Sequence, residues 1–346
     1  MITKKVSKKD IRKLLGTWNQ ECNVIVPSRV DGVVGMAAWD NQDISFLDWY
    51  RNTVIPPKSC FLPKSEVMMS FKKNENGYNL EVPTNEHWQV IFGVRPCDAR
   101  ANAIIDHVFA VTYDDYYYIS KRRNTLLVGL SCTNPYDSCF CTSSNIDPTE
   151  SEYVDLMFTD IGDDFVIEDF TGGGKALLNM SNTLKKVTKA DIEKIKEVKA
   201  ASVSKIKKTV DTENADRKLG SLFNDTDYWE RISAKCISCG ICTFLCPTCF
   251  CFDINDEMIR KQGARYRGWD SCSFRSYTRM PMENPREEKW RRVRQRVCHK
   301  FEFFPMNLGI NACVGCGRCI RSCPVNWDIT QVIAGLPAEA GIKSGK

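Results

Sequence analysis

The sequence predicts an α+β chain in two parts: an N-terminal α/β domain over residues 1–227 with a short parallel sheet, and a cysteine-built domain over 228–346. Two continuous apolar runs, Trp88–Val94 and Thr125–Leu130, read as buried strands with a helical stretch between them, which suggests a parallel pair covered by helices. A pattern C-x2-C-x2-C-x3-C-P is written twice near the end of the chain. Its copies are Cys236-Ile-Ser-Cys239-Gly-Ile-Cys242-Thr-Phe-Leu-Cys246-Pro247 and Cys313-Val-Gly-Cys316-Gly-Arg-Cys319-Ile-Arg-Ser-Cys323-Pro324. An insertion from Thr248 to Ala312 splits the copies and holds Cys249, Cys251, Cys272 and Cys298.

Element by element, Ser7 followed by Asp10 resembles a capping box, and Ile11, Leu14, Leu15 and Trp18 share one face, predicting a helix over about 8–19. Asn23–Val26 reads as a short strand ending at Pro27. Residues 46–70 read as irregular, broken by Pro56-Pro57 and Pro63. Beyond the first apolar run, Arg95-Pro-Cys97-Asp98-Ala-Arg100 reads as a loop and Ala101–Phe109 as a helix. Tyr153–Phe158 and Phe165–Phe170 form a hairpin pattern. Gly172-Gly173-Gly174-Lys175 lacks P-loop spacing and reads as a flexible turn. From Ser181 to Val210 a lysine-rich stretch with Ile192, Ile195, Val198, Val203 and Ile206 near one side predicts a solvated amphipathic helix. Asp211–Asp227 reads as a polar connector.

At 346 residues the chain is too long for one cysteine module and can bury a second core. It has 18 cysteines but no secretory h-region, so metal ligands in a reducing cytoplasm are expected rather than disulfides. No stretch approaches the roughly 20 apolar residues of a membrane span. A net charge of +5 implies no nucleic-acid partner. Three histidines argue against a His-rich metal centre, and His299 beside Cys298 is too weak a pair for a catalytic dyad.

The doubled pattern is the run that holds two [4Fe–4S] clusters in bacterial-type ferredoxins. Three thiolates two residues apart wrap one cubane, Gly240 and Gly317 let the backbone turn around it, and the fourth cysteine reaches the other cluster. Cluster A is therefore expected on Cys236, Cys239, Cys242 and Cys323, and cluster B on Cys313, Cys316, Cys319 and Cys246. Zinc ribbons or disulfides compete, but zinc sites seldom need this spacing followed by proline. The chemistry expected of such a chain is electron transfer.

Sites on parallel sheets collect beyond the carboxyl ends of the strands. Cys97 and Cys132 each fall just past a strand end, and Cys139 and Cys141 follow in one loop, so a third iron–sulfur cluster is expected on these four. The competing reading is small buried hydrophobes. Cys249, Cys251 and Cys272 crowd beside Cys246 and either ligate another iron site or line the cluster pocket. The basic run Arg286, Lys289, Arg291, Arg292, Arg294, Arg296 and Lys300 reads as a solvated helix face, a counter-charge to the clusters, or a dock for an acidic electron carrier.

The series Gly93-Val-Arg95-Pro-Cys97-Asp98-Ala-Arg100, Cys132…Cys139-Phe-Cys141, Cys246-Pro-Thr-Cys249-Phe-Cys251, Trp269-Asp-Ser-Cys272, His299-Lys-Phe301 and the second motif occurs in this order. It resembles the family that holds the beta subunit of cytoplasmic [NiFe] sulfhydrogenases together with the iron–sulfur subunit of anaerobic sulfite reductase. The resemblance spans roughly residues 20 to 332, and a linked series is more specific than one motif. It implies an iron–sulfur subunit of a soluble multi-subunit oxidoreductase. Such a subunit passes electrons between a flavin subunit, carrying FAD and handling NAD(P)H, and a hydrogenase-like or sulfite-reductase-like catalytic subunit. Ferredoxin is a further candidate carrier. No [NiFe], siroheme or flavin site is recognised in this chain, and no catalytic residue is expected. The competing function is an enzyme subunit whose extra cysteines build a non-standard catalytic cluster.

Overall fold

The protein is described from a computed structural model covering residues 2–40, 44–84, 87–149 and 152–337. Its strands in chain order begin with β1 (Ile2–Ser7), β2 (Asn23–Val30), β3 (Val33–Ala38), β4 (Ser65–Asn74), β5 (Gly77–Glu81) and β6 (Gln89–Val94). They continue with β7 (Thr125–Leu130), β8 (Leu156–Asp160), β9 (Asp164–Asp169), β10 (Lys185–Lys186), β11 (Phe252–Ile259) and β12 (Gln262–Trp269).

Eight strands form a mixed sheet in the order β10-β1-β9-β8-β7-β6-β2-β3. Its centre, β2, β6, β7 and β8, is parallel, with Gln89 opposite Thr125 in the β6–β7 pair. The apolar runs at 89–94 and 125–130 are continuous because both faces are covered. Phe92 and Val128 face a core with Trp18 and Phe158. Their neighbours Ile91 and Leu127 face the other core with Phe61, Tyr118 and Met157. A second, antiparallel sheet runs β11-β12-β4-β5. Here β12, from the insertion between the cysteine motifs, pairs with β4 from well before residue 227, placing Gly263 opposite Phe71.

Several local expectations need correction. Residues 46–70 are not irregular: they hold a helical turn Phe46–Trp49, a 3-10 turn Pro57–Cys60 and the start of β4. Ile2–Ser7 is a strand paired with β10 on one side and β9 on the other, so the first helix proper is Ile11–Glu21, and Ser7 makes no side-chain cap. Strand β2 runs through Pro27 to Val30. The segment Arg95–Arg100 is not a loop. Pro96 opens the helix Pro96–Asp106, whose φ it presets, with Arg95 as its N-cap residue. The triglycine segment is not a flexible turn but starts the helix Gly172–Asn179, capped by Thr171 accepting from Gly174 N, and position 174 has no room for a side chain, whose Cβ would lie 2.5 Å from Asp155 O. The lysine-rich stretch gives the helix Lys189–Ser204, but it buries Ile195 while Val203 stays exposed. The connector contains the helix Ala215–Leu222, which buries Leu219.

The C-terminal core joins Trp229, Val297, Phe301, Ile329 and Val332. It seats the helix Lys289–Cys298, which continues as a wider π turn over His299–Phe303. No helix among the described residues is long and apolar enough to cross a membrane.

Candidate iron–sulfur centres

None of the 18 cysteines is paired in a disulfide. The backbone of each motif turns where the sequence places glycine: φ is +75° at Gly240 and +70° at Gly317. Cys236, Cys239 and Cys242 line one cavity with Cys323, which arrives from the second motif. Reciprocally, Cys246 of the first motif lies within electrostatic reach of Cys313, Cys316 and Cys319. Each motif thus brings its fourth thiol to the other's first three.

The four N-terminal thiols also gather. Helix Pro96–Asp106 starts at the carboxyl end of β6 and carries Cys97 in its first turn, and Cys132 follows β7. Arg95 holds this edge together. Its guanidinium donates to Leu130 O at 3.0 Å, Ser131 O at 2.6 Å and Tyr50 O at 2.6 Å. Cys141 lies within reach of Cys132, Cys139 and Cys316, and Cys97 within reach of Cys141 and Cys316. The loop bearing Cys139 and Cys141 rests on the second motif. Phe140 N donates to Gly315 O at 2.8 Å, and Cys139 Sγ lies 3.7 Å from Cys316 O.

Cys249, Cys251 and Cys272 form a further thiol group. Cys251 and Cys272 are hydrogen-bonded partners, as are Cys246 and Cys249, and the hydroxyl of Tyr277 reaches Cys251. Lys58 faces them, donating from Nζ to Cys249 O over the ring of Trp269. Burial lowers its ammonium to about 8. Burial likewise pushes the thiols of Cys139 and Cys313 up to about 11, so a bound cation is what would favour their thiolates.

The basic run divides. Arg292, Arg296 and Lys300 are buried; Arg291 stays partly exposed and pairs with Glu288 at 2.8 Å. Arg294 lies over the Phe223 ring at 3.8 Å and donates to Phe223 O. A fully solvated face is therefore the wrong description. Lys300 Nζ donates to Thr248 Oγ1 at 2.8 Å and to Ala312 O at 3.2 Å, and Thr248 Oγ1 lies 3.2 Å from Cys246 Sγ. One ammonium therefore ties the end of the first motif to the start of the second. His299 packs edge-on against Phe304, burial lowers it to about 4, and Cys298 is turned into the C-terminal core.

Sequence reasoning missed several supports. Arg318 forms a bidentate pair with Asp98, at 2.6 and 2.8 Å, and donates to Thr53 O, all fully buried. The only signal was an unexplained charge beside each cysteine, Asp98 after Cys97 and Arg318 before Cys319. Lys58 and Thr248 gave none.

The donor set fits cubane clusters. Four soft cysteine sulfurs line one cavity at the first motif, and Nε and Nη1 of Arg296, near Cys242, Cys246, Cys249 and Cys319, have no hydrogen-bond partner among the described residues. Among the described residues no three His, Cys, Asp or Glu side chains close on a single-ion point. A cubane, which is wider than an ion, takes its thiolates from farther apart. Residues 235–327 match the family described as the 4Fe-4S dicluster domain, and fold and site together define an iron–sulfur electron-transfer protein. The chain is 31% identical over 287 residues to sulfhydrogenase 2 subunit beta of Pyrococcus furiosus, covering 82% of this chain and 83% of that one. It belongs to the family of hydrogenase beta subunits. No solved structure matches it.

Proposed function

We propose that this chain relays single electrons inside a multi-subunit oxidoreductase, between a flavin subunit that reacts with NAD(P)H and a catalytic subunit of hydrogenase or sulfite-reductase type. The observation that carries the reading is the exchange of fourth cysteines between the motifs, which supports two cluster sites side by side in one domain. Cys236, Cys239, Cys242 and Cys323 would hold the first cluster, and Cys313, Cys316, Cys319 and Cys246 the second. Each supplies one-electron uptake and release when bound. Cys97, Cys132, Cys139 and Cys141 would hold a third, supported by their placement around the second motif. The protein's own work is to hold these thiolates, keep water from the second site and leave the first near the surface, where Cys239 is exposed.

Cys249, Cys251 and Cys272, gathered under Lys58, favour one competing reading, a catalytic cluster in this chain. One experiment separates the two. The anaerobically purified chain should bleach with dithionite and recover with an artificial acceptor, yet consume no hydrogen, NAD(P)H or sulfite by itself. Turnover of any of these by the isolated chain would overturn the relay.

A further inference from the structure

The inward face of the helix Lys289–Cys298 and its π-turn extension carries Arg292, Arg296 and Lys300, four residues apart and so one above another. Each meets a different part of the cysteine architecture. Arg292 Nη2 donates to Ser238 Oγ at 3.3 Å, in the loop of the first motif. Lys300 binds Thr248 and Ala312, the residues flanking Cys246 and Cys313. Arg296 stands between them at 4% exposure, among Cys242 of the first motif and Cys246, Cys249 and Cys319 around the second.

Its Nε and Nη1 have no hydrogen-bond partner among the described residues. An orphaned pair of charged donors is costly in an interior unless something accepts from it. The residues around it are thiols that the two-cluster reading assigns as ligands, so the natural acceptors are the cluster sulfurs and their thiolates. A guanidinium stays charged throughout.

We propose that Arg296 is a positioning and tuning residue shared by both clusters, donating to the sulfur on each side and raising both reduction potentials together. The proposal rests on the two-cluster reading. A cluster that accepts one electron gains one negative charge with no bond or proton transferred, and a fixed neighbouring cation favours that reduced state. Charge and hydrogen bonds to the sulfurs are among the quantities that set such potentials. Because Arg296 lies near thiols of both sites, the two potentials should move as a pair.

The test is a potentiometric titration of the full chain, prepared anaerobically and followed by EPR of the reduced clusters, for wild type, R296K and R296Q. Iron and acid-labile sulfide are measured alongside. With both clusters retained, R296Q should show the ratio of reduced to oxidised cluster falling about tenfold at a fixed solution potential, about 59 mV for a one-electron couple. Both clusters should shift, and R296K, which keeps the charge, should move less than R296Q. Unchanged potentials in an iron-replete R296Q, or a shift confined to one cluster, would overturn the proposal. Should R296Q lose its iron, pulsed EPR on protein with isotopically labelled arginine decides: the guanidinium nitrogen coupling of wild type must disappear in R296K, and its persistence refutes the assignment. Wild-type protein lacking sulfide would instead remove the two-cluster reading itself.

Discussion

The two cysteine motifs share one spacing and one backbone, yet they live in different surroundings. At the third position of each, φ is positive: +57° at Ser238 and +59° at Gly315. The first motif tolerates a side chain there. In the second, a Cβ would fall 2.5 Å from the backbone of Phe140 and Cys141, because the N-terminal loop lies directly on it. The neighbouring positions repeat the contrast. Ile237 is 60% exposed, whereas its counterpart Val314 is 2% exposed. Ile241 of the first motif becomes Arg318 in the second, buried against Asp98. Spacing specifies how the chain wraps a cluster; the residues between the cysteines specify what packs on the wrap.

The strongest way to break the comparison is at the buried ion pair. Asp98→Ala should cost about 3–5 kcal/mol, because it strands a buried guanidinium. The double variant Asp98→Ala with Arg318→Ile, which gives the second motif the first motif's residue, should recover much of that loss in anaerobic thermal unfolding. A double variant no more stable than Asp98→Ala would show that Arg318 matters beyond its pairing. Next in size is Gly315→Ser, again the first motif's residue. Overpacking against the Phe140–Cys141 backbone should cost about 1–3 kcal/mol. The reverse change, Ser238→Gly, should cost at most about 1 kcal/mol, because it loses only the 3.3 Å bond from Arg292 to the half-buried hydroxyl while glycine suits the positive φ. Equal losses for the two changes would mean that the N-terminal loop does not rest on the second motif.

Much of this was readable in advance because it is local. The cysteine spacing, the turning glycines and the apolar runs of β6 and β7 each act within a few residues. The grouping of Cys97, Cys132, Cys139 and Cys141 followed from a general rule about parallel sheets, applied to two strands that do pair. The contacts at longer range were not readable. Nothing near Thr248 announces that Lys300 will bridge it to Ala312, and nothing in β4 announces β12 as its partner. The basic run stayed ambiguous for a similar reason. Its charges left a solvated face, a counter-charge to the clusters and an acidic dock all open, and only the fold shows that a stripe every fourth residue turns inward. The proline-rich stretch before β4 hid its order because turn residues mark breaks and not the short elements between them.

Two smaller effects sharpen the contrast. A ferrous-iron chelator acting on oxidised protein should remove iron in two phases, the first from the site of the exposed Cys239 and the slower from the site of the buried Cys316. A single phase would remove the distinction between an outer and an inner site. Outside both motifs, burial pushes Asp328 up, but donation by Lys208 and Thr330 outweighs it and holds the carboxyl below its ordinary value. A group lowered in the folded state stabilises above its unfolded pKa and loses that contribution as pH falls through the folded value. Asp328→Asn should therefore lower stability at pH 7 by up to about 1 kcal/mol, the scale of a partly exposed pair. The difference from wild type should shrink in acid, as thermal unfolding at matched ionic strength would show.

The exchange of fourth cysteines is tested most directly by EPR of the dithionite-reduced chain carrying Cys246→Ser, compared with Cys239→Ser. Cys246 belongs by sequence to the first motif and by position to the second. Cys246→Ser should therefore alter the signal of the inner cluster and leave that of the outer cluster intact, while Cys239→Ser should do the opposite. If both substitutions perturb the same cluster, each motif keeps its own four thiolates and the interleaved pair of sites does not exist.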